Sequence, residues 1–400
     1  MRRDARGCGL TRRDDHSHVR TQPPFAARVI ARIRAFAVTG NDTVDAAMRG
    51  YPGRVTEGSE GGAGVRVSIV IPNWNGGEML AEVLRGLEGQ EYGSYDAIVV
   101  DDASTDGSLE HAQQQCRPFR TVVHEQNRGF AASCNAGAEA AGGELIAFLN
   151  NDAVPEPAWL RELVDSIDRH PEAACVDSKL YRRGSDRVID GAGDAFTWGL
   201  KAYRRGAGAR DEGQYSQEEQ ILLASGAACL WRAEAFRRLG GFAEEFFAYY
   251  EDVDLSLRAR RAGYEIWFAP AAIAWHAGGA STAAARREFA GFMAVRNRWA
   301  TIVRNVPAWW LTRRAPSVAL GELTLAASAI ASGEGRQYFR ALRAGLASWS
   351  AWRRDRLAIR ATGELNPELV ARFVERRLPP LGMSLARRRG YGFGVRQVSP

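Results

Sequence analysis

From residue 65 the apolar positions fall into short β-branched runs separated by helically spaced stretches. Residues 65–71 form a β-branched apolar run closed by Pro72, which predicts a buried strand. Met79, Leu80, Val83, Leu84 and Leu87 then recur at helical spacing over 78–87. Further strands are predicted at 98–100, 121–123 and 145–149, with a helix over 131–141 between the last two. A helix over 157–170, an irregular Gly-rich stretch over 184–220, a strand over 225–231 and a helix over 233–239 come next. Residues 252–262 read as a helix capped by Gly263, 266–268 as a short strand, and the chain from about 286 to 376 as mostly helical. Strands alternating with helices predict an α/β fold with a mainly parallel, Rossmann-like sheet. Ligands of such sheets sit beyond the carboxyl ends of the strands.

Composition changes this picture little. The chain has 400 residues, 46% hydrophobic and 25% charged, enough for one large domain with appendages or two domains. Its net charge of +6 rests almost wholly on arginine, since Lys179 and Lys201 are the only lysines. An Arg- and Ala-rich composition reflects GC-rich coding as readily as anionic partners. Five widely spaced cysteines without a C-x-x-C pair argue against a disulfide framework or a zinc site and fit a reducing cytoplasm. No apolar h-region follows the first arginines, and no run is long and apolar enough to span a bilayer. Residues 1–64 read as a disordered extension ending in Glu57–Gly64 low complexity, with a short helix near 25–38 and Met48 as an alternative start.

Polar clusters close the predicted strands. They are Pro72-Asn73-Trp74-Asn75-Gly76, Asp101-Asp102-Ala103-Ser104-Thr105-Asp106-Gly107, Asn127-Arg128-Gly129-Phe130 and Asn150-Asn151-Asp152. Singly, each reads as a turn with Asx hydrogen bonds or a loop. Four in order, each just past a strand, point to one ligand site.

The text VSIVIPNWNG, VVDDASTDGS, NRGFAASCNAG, FLNND, FFAYYEDVDLSLRARRAGY and WHAGGAS resembles the family 2 glycosyltransferases, which have the GT-A fold. It is particularly similar to the bacterial rhamnosyltransferase-like branch, from about residue 65 to 305. The resemblance implies a GT-A domain over 65–305, leaving a helical extension over 306–378 and a flexible tail over 379–400. It implies direct, inverting transfer from a nucleoside diphosphate sugar, with dTDP-rhamnose or a UDP-sugar as donor. A divalent metal, Mg²⁺ or Mn²⁺, would neutralise the diphosphate leaving group.

Where relatives carry an Asp-x-Asp triplet, this chain has Asn150-Asn151-Asp152, so Asp152 is the expected metal ligand and Asn150 a weaker contact. His276 is the expected second ligand, against the blander reading of a structural histidine, and the glycines after it would let backbone approach phosphate. Within the acidic pair Glu251-Asp252, Asp252 best matches the base that deprotonates the acceptor hydroxyl. Helix capping and dipole complementation are the plain reading of Asp254, and extend to Glu251. Pro72, Asn73 and Asn75 would border base and ribose. Asp101 or Asp102 would accept from a uracil- or thymine-type N3–H, and Arg128, between Asn127 and Gly129, would reach the diphosphate unless it is a solvated loop arginine.

Residues 286–314 interleave Arg286, Arg287, Arg296, Arg298, Arg304, Arg313 and Arg314 with Phe289, Phe292, Trp299, Trp309 and Trp310. Such a stretch lies on an inner membrane leaflet, or packs on the catalytic domain with its arginines in solvent. The expected acceptor is a saccharide or lipid-linked saccharide of the cell envelope or an exopolysaccharide. A nucleotidyltransferase would need a Gly-rich basic loop after the first strand, which Pro72-Asn73-Trp74-Asn75 is not. A binding module without turnover is the reading the weakened triplet permits. Nucleic acid is disfavoured, because the basic residues are dispersed and no recognition motif occurs.

Overall fold

The computed structural model describes residues 54–56, 64–197, 199–278 and 284–373. The predicted helix near 25–38, Gly279 and the tail beyond 378 lie outside them.

Strands β1 (Arg54–Thr56), β2 (Val67–Asn73), β3 (Tyr95–Asp101), β4 (Arg120–Val123) and β5 (Leu145–Leu149) alternate with helices α1 (Glu78–Glu88), α2 (Ser108–Gln115) and α3 (Phe130–Ala140). Then come β6 (Ala153–Pro155), α4 (Trp159–Arg169) and β7 (Ala173–Arg182). The stretch expected to be irregular holds four short strands: β8 (Ile189–Ala192), β9 (Asp194–Phe196), β10 (Ala202–Arg204) and β11 (Glu219–Gln220). Next are β12 (Ala228–Arg232), α5 (Ala233–Arg238), α6 (Glu251–Arg261) and β13 (Glu265–His276). Four helices follow: α7 (Ala284–Asn305), α8 (Ala308–Ala331), α9 (Gly335–Ala361) and α10 (Pro367–Phe373).

The sheet runs β1-β4-β3-β2-β5-β12-β7-β13-β11. β4, β3, β2 and β5 are parallel. β12 is antiparallel to both β5 and β7, so β7 and its parallel neighbour β13 point the same way as β5. Six strands therefore share one direction, as the alternating pattern predicts, and one reversed strand splits them. Within the segment expected to be disordered, Arg54–Thr56 pair antiparallel with β4 and cover its otherwise open edge.

β2 is apolar at Val67, Ile69, Val70 and Ile71, on both of its faces, because both faces are covered. Val67, Ile69 and Ile71 pack with Leu80 and Leu84 of α1 and Leu160 and Leu163 of α4. Val70 faces Ala131, Cys134 and Ala138 of α3. Gly137 sets that approach, since a Cβ there would lie 2.2 Å from Val70 Cγ1.

The C-terminal helices dock through a separate core in which Leu222, Leu223, Val253 and Leu257 meet Ile302, Val306, Trp310 and Val318. This packs much of the basic aromatic stretch against the domain, but with its central arginines buried rather than in solvent. Arg296, Arg298 and Arg304 are buried. Arg298 pairs with Glu322, and Arg304 with Glu245, Asp254 and Asp355. Among the described residues no helix is long and apolar enough to cross a membrane.

Candidate active site

The strand-end clusters meet at one edge of the sheet. β2 ends on Asn73, 1% exposed, whose side-chain amide donates to Asp101 Oδ1 (2.9 Å), Ser108 Oγ (3.0 Å) and Ser104 Oγ (3.2 Å). Asn73 Oδ1 accepts from the Asn151 amide at 2.8 Å, which ties the end of β2 to the turn after β5. Asn75 takes a positive φ of 51° and accepts from the Thr105 N–H at 2.8 Å through its side chain. Pro72 is half-buried beside Val100 in the β2–β3 register.

Asp101 and Asp102 are both buried and serve different loops. Asp101 accepts from Asn73 and, through Oδ2, from the Ser104 N–H at 3.0 Å. Asp102 accepts from the Arg128 N–H (2.8 Å) and the Gly129 N–H (2.7 Å), and its Oδ1 lies 2.8 Å from His124 Nδ1. It thereby gathers the Asn127-Arg128-Gly129 loop onto the end of β3. Gly129, at φ 92°, is needed there, since a Cβ would come within 2.6 Å of Phe247. The Arg128 guanidinium is partly exposed and pairs with Glu244 at 3.1 Å.

At the end of β5, Asn150 donates its backbone N–H to Ala227 O (2.9 Å), beside the start of β12. One residue earlier, the Gly226 N–H donates to Asp252 Oδ2 at 2.9 Å, while Asp252 Oδ1 accepts from the Val253 N–H at 2.8 Å. The loop before β12 thus joins the Asn150-Asn151-Asp152 turn to the first turn of α6. Burial raises the Asp252 carboxyl above its ordinary value, partly offset by these backbone donors and by Arg204. Burial and then the Asp252 charge raise Glu251 further, and its Oε2 is buried without a hydrogen bond. Neither residue caps α6 through its side chain. Asp254 does not cap it either: it is fully buried between Arg258 Nε (2.8 Å) and Arg304 Nε (2.9 Å).

His276 ends β13 and is 3% exposed, between two carboxylates. Its Nε2 lies 3.1 Å from Asp152 Oδ1 and 3.4 Å from Asn150 Nδ2. Its Nδ1 lies 2.8 Å from Asp190 Oδ2. Burial lowers the imidazole pKa, but Asp152 and Asp190 outweigh it and raise it to about 9. Asp152 is lowered, because the imidazole charge and hydrogen bond outweigh burial. Asp190 pairs in turn with Arg204, and is held at about 2 because these cationic partners outweigh desolvation.

Sequence reasoning missed Asp177, Asp190, Asp194 and Arg204. Asp194 is pushed up to about 7 by burial, despite Arg204, with Asp252 and Asp190 adding to the rise. Asp177 is raised well above the usual carboxylate range by burial and the Asp194 charge. Asp177 Oδ1 and Asp194 Oδ1 are buried without hydrogen bonds. The available signal was the run Asp190-Gly191-Ala192-Gly193-Asp194, two acids framing small residues in a stretch otherwise passed over as loop.

The sheet order, with β12 reversed between β5 and β7 and the polar residues collected at the β5 and β13 ends, defines a GT-A fold. Residues 68–240 match the Glycosyl transferase family 2 family. The uncharacterized protein y4gI of Sinorhizobium fredii is 30% identical over 227 residues, 52% of this chain but 24% of y4gI. The O-antigen biosynthesis protein RfbC of Myxococcus xanthus is 31% identical over 213 residues, covering 50% of this chain and 16% of RfbC. An N-acetylglucosaminyl-diphospho-decaprenol L-rhamnosyltransferase of Mycobacterium tuberculosis is 26% identical over 62% of this chain and 86% of its own. The chain thus spans less than a quarter of y4gI and RfbC. Among solved structures, a mannosyltransferase of Pyrobaculum calidifontis in complex with GDP-Man and Mn²⁺ aligns over 84% of this chain and 93% of its own, at 18% identity and TM-score 0.45.

Proposed function

We propose that this protein transfers a sugar, with inversion, from a nucleoside diphosphate sugar to a saccharide or lipid-linked saccharide. The donor is of dTDP-rhamnose or UDP-sugar type, and the setting is cell-envelope or exopolysaccharide assembly at the cytoplasmic side of the membrane. The observation that carries this reading is the bond from the Gly226 N–H to Asp252, which places a carboxyl of raised pKa beside the turn bearing Asp152. Similarity to an O-antigen biosynthesis protein and to a rhamnosyltransferase supports the setting and the first donor guess.

In this reading Asp252 takes the proton of the acceptor hydroxyl as that oxygen bonds to the anomeric carbon. The bond from that carbon to the diphosphate breaks in the same step, and the nucleoside diphosphate leaves. Pro72, Asn73 and Asn75 shape the base and ribose pocket with the Asp101 loop. A carboxylate offers about four lone-pair positions. Asp101 has two hydrogen bonds and Asp102 three partners, so Asp101 keeps more capacity for a pyrimidine N3–H. Arg128, with Asn127 and Gly129, borders the diphosphate.

The residues present fit a divalent cation. Asp152 supplies a carboxylate oxygen, His276 an imidazole nitrogen, and Asn150 Oδ1 is buried without a hydrogen bond. No three His, Cys, Asp or Glu side chains gather as a metal cage among the described residues. The remaining ligands would therefore come from the donor diphosphate and water. Bound there, Mg²⁺ or Mn²⁺ would offset charge developing on the leaving diphosphate.

The test is a screen of nucleotide sugars for metal-dependent release of free nucleotide. Release from a dTDP- or UDP-sugar that needs Mn²⁺ or Mg²⁺ is expected. Tight nucleotide binding with no release from any donor would leave only a binding module and sink the transferase reading. Asp190 orients the His276 ring from behind. Asp190→Asn is expected to weaken Mn²⁺ binding by roughly 10- to 100-fold, measured by calorimetry in the presence of nucleoside diphosphate. Unchanged affinity would remove Asp190 from that role.

A further inference from the structure

The α8–α9 hairpin carries an apolar and cationic surface that the transferase reading does not use. α8 turns Trp310, Val318 and Ala329 inward. On another side it leaves Leu320, Leu323 and Ile330 in solvent, at i, i+3 and i+10, which share one helical face. α9 packs along α7 through Tyr338, Ala341, Gly345 and Trp352. It exposes Phe339, Leu346 and Leu357, again one face at i, i+7 and i+18. Leu323, Leu346 and Leu357 are 69%, 70% and 70% exposed, far more than isolated surface leucines require. The two helices frame a groove of about 670 Å³ where Ile330 and Phe339 stand beside Arg336, Arg340 and Arg343.

Charge decides what fits this surface. Residues 308–361 contain nine arginines and three acids. Two of those acids, Glu322 and Asp355, face inward to Arg298 and Arg304. A second copy docked face to face would set arginine against arginine. The chain's own residues 374–400, with six arginines and one acid, carry the same sign. An anionic lipid surface offers both acyl chains for the leucines and phosphates for the arginines.

We propose that the α8–α9 hairpin is a docking face for an anionic lipid bilayer. The protein rests on the membrane through Leu320, Leu323, Ile330, Phe339, Leu346 and Leu357, with Arg336, Arg340 and Arg343 on the headgroups. This moves membrane contact from residues 286–314, whose central arginines are buried, to the exposed hairpin. It does not depend on sugar transfer, so its failure and that of the transferase reading are separable.

The test is flotation of the full chain with vesicles of phosphatidylcholine alone and of phosphatidylcholine mixed with phosphatidylglycerol, at low and high salt. Binding to the mixed vesicles that weakens with salt is expected. Arg336→Gln, Arg340→Gln and Arg343→Gln together should lower partitioning roughly 100-fold, from about a fivefold loss per arginine. Leu323→Asp with Leu346→Asp should abolish flotation while circular dichroism and the urea midpoint stay as in wild type, because both leucines are exposed. Equal binding to phosphatidylcholine alone, no binding, or variants that float like wild type would overturn the proposal. So would a dimer that the leucine variants dissociate in the absence of lipid binding, which would assign the face to a second copy.

Discussion

Asp252→Asn is expected to cut sugar transfer by roughly 10²- to 10⁴-fold while nucleotide binding persists. The substitution keeps the shape of the side chain, and its oxygen can still accept from the Gly226 N–H. It removes the negative charge and the proton acceptor. The bond to the Val253 N–H is lost or strained, because an amide NH₂ cannot accept, and that costs about 1–3 kcal/mol. The fold tolerates such a loss, so circular dichroism should be unchanged. The pH profile provides an independent readout. Burial raises the Asp252 carboxyl, so wild-type turnover should fall as pH drops through a value above that of an ordinary aspartate. The residual turnover of the Asn variant should lack that limb. Wild-type turnover in Asp252→Asn, or an unaltered acidic limb, would move the base elsewhere, and Glu251, buried with an unbonded Oε2, would be the first place to look.

The same physics governs which parts of the molecule were legible beforehand. β2, β3 and β5 announced themselves because strands covered on both faces carry apolar residues at successive positions. β7 did not, although its first nine residues are all buried. Asp177, Ser178 and Lys179 interrupt its apolar text, and each is bonded by distant chain. Asp177 accepts from the Ser225 N–H, Ser178 Oγ accepts from Trp159 Nε1 at 2.8 Å, and Lys179 pairs with Asp211 at 2.9 Å. β13 was read as three residues because Pro270 breaks the ladder. The strand absorbs the proline in an irregularity between Ala269 and Ile273 and runs on to His276.

The site divides along the same line. Residues at strand ends in the parallel half could be read, because topology alone brings strand ends together. Asp190, Asp194 and Arg204 come from the short strands β8 to β10, whose placement against His276 and Asp252 depends on tertiary packing. The burial of the basic stretch was missed for a related reason. An arginine on a helix reads as solvated, and only the packed structure reveals that Arg296, Arg298 and Arg304 point inward to carboxylates and carbonyls.

Asp254→Ala should be the most damaging substitution for stability. Asp254 is fully buried and accepts from Arg258 Nε, from Arg304 Nε and from the Asn305 amide at 2.7 Å. It joins α6, beside the proposed base, to α7 of the C-terminal helices. Removing it leaves two buried guanidinium groups short of their shared carboxylate, at a cost of roughly 3–5 kcal/mol. Burial alone would raise its pKa, yet Arg304 and Arg258 together hold it at about 2. A carboxyl depressed in the folded state contributes stability that is full above its unfolded value near 4 and is lost as pH falls through about 2. Urea midpoints of wild type should therefore decline as pH falls below about 4, and those of Asp254→Ala should be low throughout and lack that part of the decline. Asp254→Asn separates charge from packing: it retains the volume and one acceptor, and should fall between the two. If Asp254→Ala matched wild type in urea at neutral pH, Asp254 would not be what holds the C-terminal helices to the catalytic domain. Asp355 and Glu245, the other carboxylates on Arg304, would then carry the junction.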